Sequence, residues 1–147
     1  MPVATPPPPV AHVAAASNFD RAVVGEINAA RAYVGQRPVV LTARLRSLAK
    51  HHTLDMLRTN SFSHDGDGTS FATRIQRSVN YKKVGETLAL MPRNTSARRV
   101  VSAWLKSPGH RAVLLDPSYR RIGIGGANGS MGHGSSFAVT ADFATWR

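Results

Sequence analysis

Residues 121–146 read RIGIGGANGSMGHGSSFAVTADFATW, and the parsing of this stretch decides the fold. Phe137, Val139, Ala141 and Phe143 alternate with Ala138, Thr140, Asp142 and Ala144, the period-two pattern of a strand with one buried face. Two strands are expected, Arg121 to Gly126 and Phe137 to Trp146. Gly129, Gly132 and Gly134 lie between them and predict a hairpin with a flexible tip. Gly123-Ile124-Gly125 begins like a dinucleotide fingerprint. Asn128 stands where the third glycine belongs, however, and no helix follows.

Upstream of the hairpin the period changes from two to that of a helix. Phe19, Val23, Ile27 and Ala30 form one apolar stripe, predicting a first helix from a cap at Ser17 or Asn18 through Ala32. After a break at Gly35 to Pro38, Thr42 caps a second helix that carries Leu45, Leu48, Ala49, His52 and Met56 on one face and ends near Asn60. Ser70 caps a short third helix with Phe71 and Ile75. A fourth starts at Asn94 or Thr95, buries Val100, Val101, Trp104 and Leu105, and stops before Ser107-Pro108-Gly109. A single turn from His110 to Leu115 ends at Asp116-Pro117. Asn80 to Leu90 holds β-formers around Gly85 and ends at Met91-Pro92. Four helices followed by a small antiparallel sheet indicate an α+β chain rather than alternating βαβ units.

The chain has 147 residues, enough for one domain over 18–147. Residues 1–17 are rich in Pro and Ala, and Pro6 to Pro9 predicts an extended linker or tail. No charged start and apolar core of an export signal is evident there. There is no cysteine, which excludes disulfides, thiolate metal sites and cysteine nucleophiles. Nineteen Lys and Arg oppose eight Asp and Glu, a net charge of +11 that favours anionic partners. The cations are dispersed, as at Arg44, Arg74, Lys82, Arg98 and Arg120, and read as solvated faces. No binding motif accompanies them, so no specific nucleic-acid partner is expected. No apolar run approaches a membrane span.

No HExxH, P-loop or GxSxG motif is present, and Asp65-Gly66-Asp67-Gly68 departs from a calcium loop at Ser70 and Gln76. What remains is scarcity: the only glutamates are Glu26 and Glu86. Glu86 follows Gly85 between Val84 and Leu88, where a carboxylate is partly desolvated unless something pairs with it. His64 lies in the loop Ser61 to Asp65, and His110 follows a helix stop. His64, His110 and Glu86 match a zinc site with an open position, with Glu86 as third ligand or general base. A buried or capping His and a salt-bridged Glu account for the same residues one at a time. Of the other histidines, His51 is expected to face solvent and His52 to sit beside Leu48 and Met56, while His12 and His133 fall in the tail and the hairpin loop.

At these residues the sequence resembles the CAP superfamily of cysteine-rich secretory proteins, antigen 5 and pathogenesis-related proteins, in its compact bacterial type. Ile27-Asn28 with Arg31, then Leu45, Ala49, His52, Asp55 and Met56, resemble its first two helices. Phe62-Ser63-His64, Gly85-Glu86, Trp104 to Arg111, Tyr119, Ile122 to Gly125 and Thr140 to Phe143 follow in the family's order. The resemblance implies an α-β-α sandwich around a central antiparallel sheet, with Tyr81 to Leu90 as a further strand. It also implies a cleft lined by His64, His110 and Glu86. Family members with a complete tetrad carry a second glutamate where this chain has Ser107, and an asparagine where it has Thr87. That difference puts strong binding of zinc or another divalent cation in doubt.

The family is typically extracellular and linked to lipid or sterol binding, and catalysis is not one of its general properties. The first expectation is therefore a non-enzymatic, secreted or envelope-associated binder of lipid, sterol or an anionic cell-envelope component, through a cleft of His64, Glu86, His110 and Ser107. The alternative is a zinc-dependent hydrolase using His64, His110 and Glu86.

Overall fold

The computed structural model describes residues 17–65, 69–78, 80–131 and 134–145. The proline-rich tail, Gly66 to Gly68 of the calcium-like loop, Gly132 and His133 at the hairpin tip, and Trp146 lie outside the described residues. Five helices surround a four-stranded sheet: α1 (Asn18–Tyr33), β1 (Val40–Leu41), α2 (Ala43–Thr59), α3 (Phe71–Ser78), β2 (Val84–Pro92), α4 (Ala97–Lys106), α5 (Pro108–Leu114), β3 (Tyr119–Met131) and β4 (Gly134–Thr145).

The helix starts follow local hydrogen-bond chemistry. Ser17 and Asp20 form a reciprocal capping box on α1, and Thr42 accepts from the Leu45 N–H to start α2. The fourth helix begins at Ala97 rather than at Asn94 or Thr95, because Ser96 is the residue whose hydroxyl meets an amide inside the helix. Asn94 instead takes a left-handed conformation in the turn before it, which asparagine tolerates. The expected single turn at His110 is a complete helix, α5, that opens on Pro108, whose missing N–H costs nothing at that position.

The sheet order is β1-β3-β4-β2, so the long hairpin forms its centre. Its strands run further than the side-chain pattern indicated, pairing Ser130 with Ser135 and Met131 with Gly134. Backbone pairing needs no apolar side chain, so the glycines mark turn-compatible chain without stopping the ladder. The stretch that includes Gly85 is a strand, β2, antiparallel to β4. The sheet is mixed rather than purely antiparallel, because β1 joins β3 in parallel at Val40 and Leu41. A two-residue strand, within the three residues between Pro38 and the cap Thr42, leaves too little periodicity to announce itself.

Side-chain alternation divides the core. Ile122, Ile124, Val139, Ala141 and Phe143 point to the face covered by α1, α4 and α5, with Val23, Ile27, Val100 and Trp104 packed on them. Trp104 is buried and its Nε1–H donates to Leu88 O at 2.9 Å, so its one polar atom is satisfied. The opposite face meets α2 and α3, where Leu45, Ile75, Tyr81 and Ala144 form a second core. There α2 crosses β3 at glycine. A Cβ on Gly123 would lie 2.0 Å from the Leu45 carbonyl carbon, and one on Gly125 would lie 2.3 Å from the Lys50 nitrogen. The glycines that resembled a nucleotide fingerprint serve close helix–strand contact.

Asn28 and Arg31 on α1 tie the chain together at its other end. The Asn28 amide exchanges hydrogen bonds with both backbone groups of Val39. Arg31 is fully buried and donates to the carbonyls of Arg37, Leu114, Asp116 and Tyr119.

Candidate functional site

Glu86 is the second helix-facing residue from the start of β2 on the side of the sheet covered by α2 and α3, and its cross-strand partner is Asp142 on β4. Both side chains are closed to solvent. Two carboxyls in one apolar layer cannot both remain ionised without compensation, because their repulsion is poorly screened there. The compensation comes from three other parts of the chain.

Arg74 enters from α3. One terminal nitrogen donates to Glu86 Oε2, and the other lies 3.6 Å from Asp142 Oδ2. His64, from the loop after α2, has its Nδ1 3.0 Å from Glu86 Oε1. His52, from α2, places Nε2 3.8 Å from the same oxygen and 2.8 Å from the Ser63 carbonyl, to which it donates. The Ser63 bond fixes the loop that presents His64.

Burial alone would raise the Glu86 carboxyl. The hydrogen bond from His64, the adjoining Asp142 and the charge of Arg74 outweigh it and hold Glu86 below its ordinary value. Asp142 goes the other way. Burial pushes it well above the carboxylate range, and the adjoining Glu86 carboxylate adds to the effect. Neither Asp142 oxygen has a hydrogen-bond partner within normal distance, and the cation nearest to it is Arg74 at 3.6 Å. Beside the Arg74 guanidinium, the two acids are thus unequal: Glu86 ionises readily and Asp142 resists ionisation. His52 is lowered chiefly by burial and stays neutral in its pocket.

His64 is the outward member of this cluster, with 45% of its side chain exposed and its ring 5.7 Å from that of Phe71. His110, the first residue of α5 after Pro108-Gly109, is half-buried and stands near enough for His64 to depress its basicity, second to burial. Ser107 lies at the junction of α4 and α5, and its side chain makes no cap hydrogen bond.

The structure thus brings His64 and Glu86 together in a direct bond and leaves His110 within electrostatic reach of His64. Three members of the cluster were not singled out from sequence. His52 was expected to be a core residue; it is buried, but against Glu86. Arg74 was counted among solvated cations, yet its side chain is 15% exposed. Asp142 sat on the polar side of an alternating strand. Its one available signal was a lone acid among Thr140, Ala141, Phe143 and Ala144. Among the described residues, no group of three or more His, Cys, Asp and Glu side chains is arranged to hold a metal ion.

The model of the CAP, or cysteine-rich secretory protein, family matches residues 24–143. YkwD of Bacillus subtilis is 32% identical over 111 residues, which are 74% of this chain and 42% of that protein. The chain therefore spans less than half the length of this relative. Among solved structures, an extracellular protein containing an SCP domain from Bacillus anthracis superposes with a TM-score of 0.72 at 23% identity, covering 87% of this chain and 40% of that one. An outer surface protein of Borrelia burgdorferi gives 0.70 at 22% identity, covering 86% and 92%. These last two likenesses establish a shared fold.

Proposed function

Starting from the fact that the chain belongs to the cysteine-rich secretory protein family, we propose that it is an extracytoplasmic, non-enzymatic binding domain for an anionic lipid of the cell envelope. One observation carries this reading. A groove of about 430 Å3 between α1 and α4 has an apolar floor of Ala29, Ala30, Val101 and Leu105, and Arg98, Lys106 and Arg111 stand around it against one acid, Glu26. Apolar floor and cationic rim suit an acyl chain attached to a negative headgroup. The net charge of +11 adds long-range attraction to an anionic surface. Related folds described as extracellular or as an outer surface protein support the compartment. No helix among the described residues is long and apolar enough to cross a membrane.

Liposome sedimentation tests the reading. Vesicles containing phosphatidylglycerol are expected to pull the protein down at low salt and neutral phosphatidylcholine vesicles are not. Neutralising Arg98, Lys106 and Arg111 together is expected to weaken binding by about a hundredfold, at ~1 kcal/mol per cation. Unchanged sedimentation of that triple variant, or no preference for anionic vesicles, removes the proposal. His64→Ala is the control that separates the groove from the histidine cleft.

A further inference from the structure

The side chains facing the Glu86 carboxylate are His64, His52, Asp142 and Arg74. Arg74 differs from the others because its charge does not titrate in any accessible pH range. Its neighbour Ile75 is fully buried in the second core, which anchors the short helix that carries the guanidinium. A divalent ion in this cluster would need carboxylate oxygens open to it and no permanent cation beside them. Here Oε1 is taken by His64 and Oε2 by Arg74. The guanidinium also reaches toward Asp142, so it spans both acids. A second positive charge at that place meets strong repulsion, since burial lowers the screening. The histidine is turned the wrong way as well: it offers Glu86 an N–H, and a metal cannot enter between them until that proton leaves.

We infer that Arg74 is the resident cation of this site: its guanidinium fills the place beside Glu86 and Asp142 that a divalent metal would need and keeps the cluster metal-free. Arg74 is thus a positioning residue whose charge decides which ions the site accepts. Without that charge, Glu86 and Asp142, with His64 and His52 at 3.0 and 3.8 Å from Glu86 Oε1, supply the carboxylate and imidazole donors that zinc favours, and they have only to draw together around an ion. The inference is independent of lipid binding in the α1–α4 groove, and either can fail alone.

Calorimetric titration of the whole chain with zinc chloride near neutral pH tests it on the wild type, Arg74→Lys and Arg74→Gln. The wild type and Arg74→Lys are expected to show no saturable zinc site. Arg74→Gln is expected to bind zinc at least about tenfold more tightly, and to lose that gain when His64→Ala is added. A wild type that binds zinc in a His64-dependent way overturns the inference, as does an Arg74→Gln variant as inert as the wild type. Should Arg74→Gln fail to fold, a histidine NMR titration of the wild type decides. Unmoved His52 and His64 ring signals under excess zinc support the inference, and zinc-dependent shifts of both overturn it.

Discussion

Glu86 on β2 and Asp142 on β4 are direct cross-strand partners, buried together, and their surroundings push them in opposite directions: His64 and Arg74 hold the Glu86 carboxyl low, while burial beside Glu86 raises that of Asp142. Most of the chemistry of the site follows from this unequal pair. Glu86 holds Arg74 and orients His64 by direct hydrogen bonds, whereas Asp142 meets Arg74 only at 3.6 Å.

Removing charge from the two acids is therefore expected to have unequal effects. Glu86→Gln leaves the Arg74 guanidinium without its anion in a nearly closed site, at an expected cost of about 3–5 kcal/mol. Asp142→Asn replaces an acid that burial keeps from ionising by a neutral amide of the same shape. It is expected to leave stability at neutral pH unchanged or raised. Urea unfolding of both variants decides this, and equal losses would contradict the unequal ionisation of the two acids.

The same assignments set the dependence of stability on pH. Glu86 and His52 are lowered in the fold, so their contribution is present above their ordinary values and lost as pH falls. For His52 that loss begins below a pH of roughly 6.5. Asp142 is raised, so the fold is favoured most below the ordinary carboxylate range and gives up stability as pH climbs toward the raised value. Thermal unfolding across pH 4 to 8 is expected to show a loss on the acid side that His52→Gln partly flattens. In Asp142→Asn the opposing decline toward neutral pH should disappear.

The α2–β3 contact predicts a sharp contrast between glycines. Gly123→Ala and Gly125→Ala push a Cβ into helix backbone and are each expected to cost more than about 3 kcal/mol or to prevent folding. Gly25→Ala, in the interior of α1 with nothing within 4 Å of the new Cβ, is expected to stabilise by about 0.5–1 kcal/mol. Chemical denaturation of the three variants checks both halves.

Arg31 holds four backbone carbonyls without a carboxylate partner among its hydrogen bonds. Burial lowers its basicity more than any neighbour does. Arg31→Lys keeps the charge but loses the planar fork, leaving buried carbonyls without donors. The expected cost is at least about 2 kcal/mol in unfolding free energy. An effect within error would show that water replaces the missing donors.

Much of this molecule was legible along the chain. The caps at Ser17, Thr42 and Ser70, the stripes of α1, α2 and α4, and the alternation of β4 rest on contacts within a few residues. Such signals survive in a linear reading because a helix turn or a strand pleat repeats locally. The scarcity of glutamate, the loop position of His64 and the place of His110 just after a helix stop marked the candidate site for a similar reason: a carboxylate between strand residues is unusual wherever the fold places it.

The companions of Glu86 were hidden by the same logic. Periodicity assigned His52 to a buried face, and it is buried, but periodicity does not name what a buried side chain meets. Arg74 looked like one dispersed cation among nineteen. Its burial depends on how α3 settles against β2, a contact between segments with no common period. Asp142 meets Glu86 only because the β2–β4 ladder has its particular register, and a shift of one residue would turn Asp142 to the other face. By itself, then, the sequence determined the helices and the three long strands, the α+β class and the family, and it marked Glu86 and His64 as candidates. Tertiary structure decided the charge state inside the site, because ionisation in a buried cluster is set by which charges are brought within a few ångströms, and those partners come from distant parts of the chain.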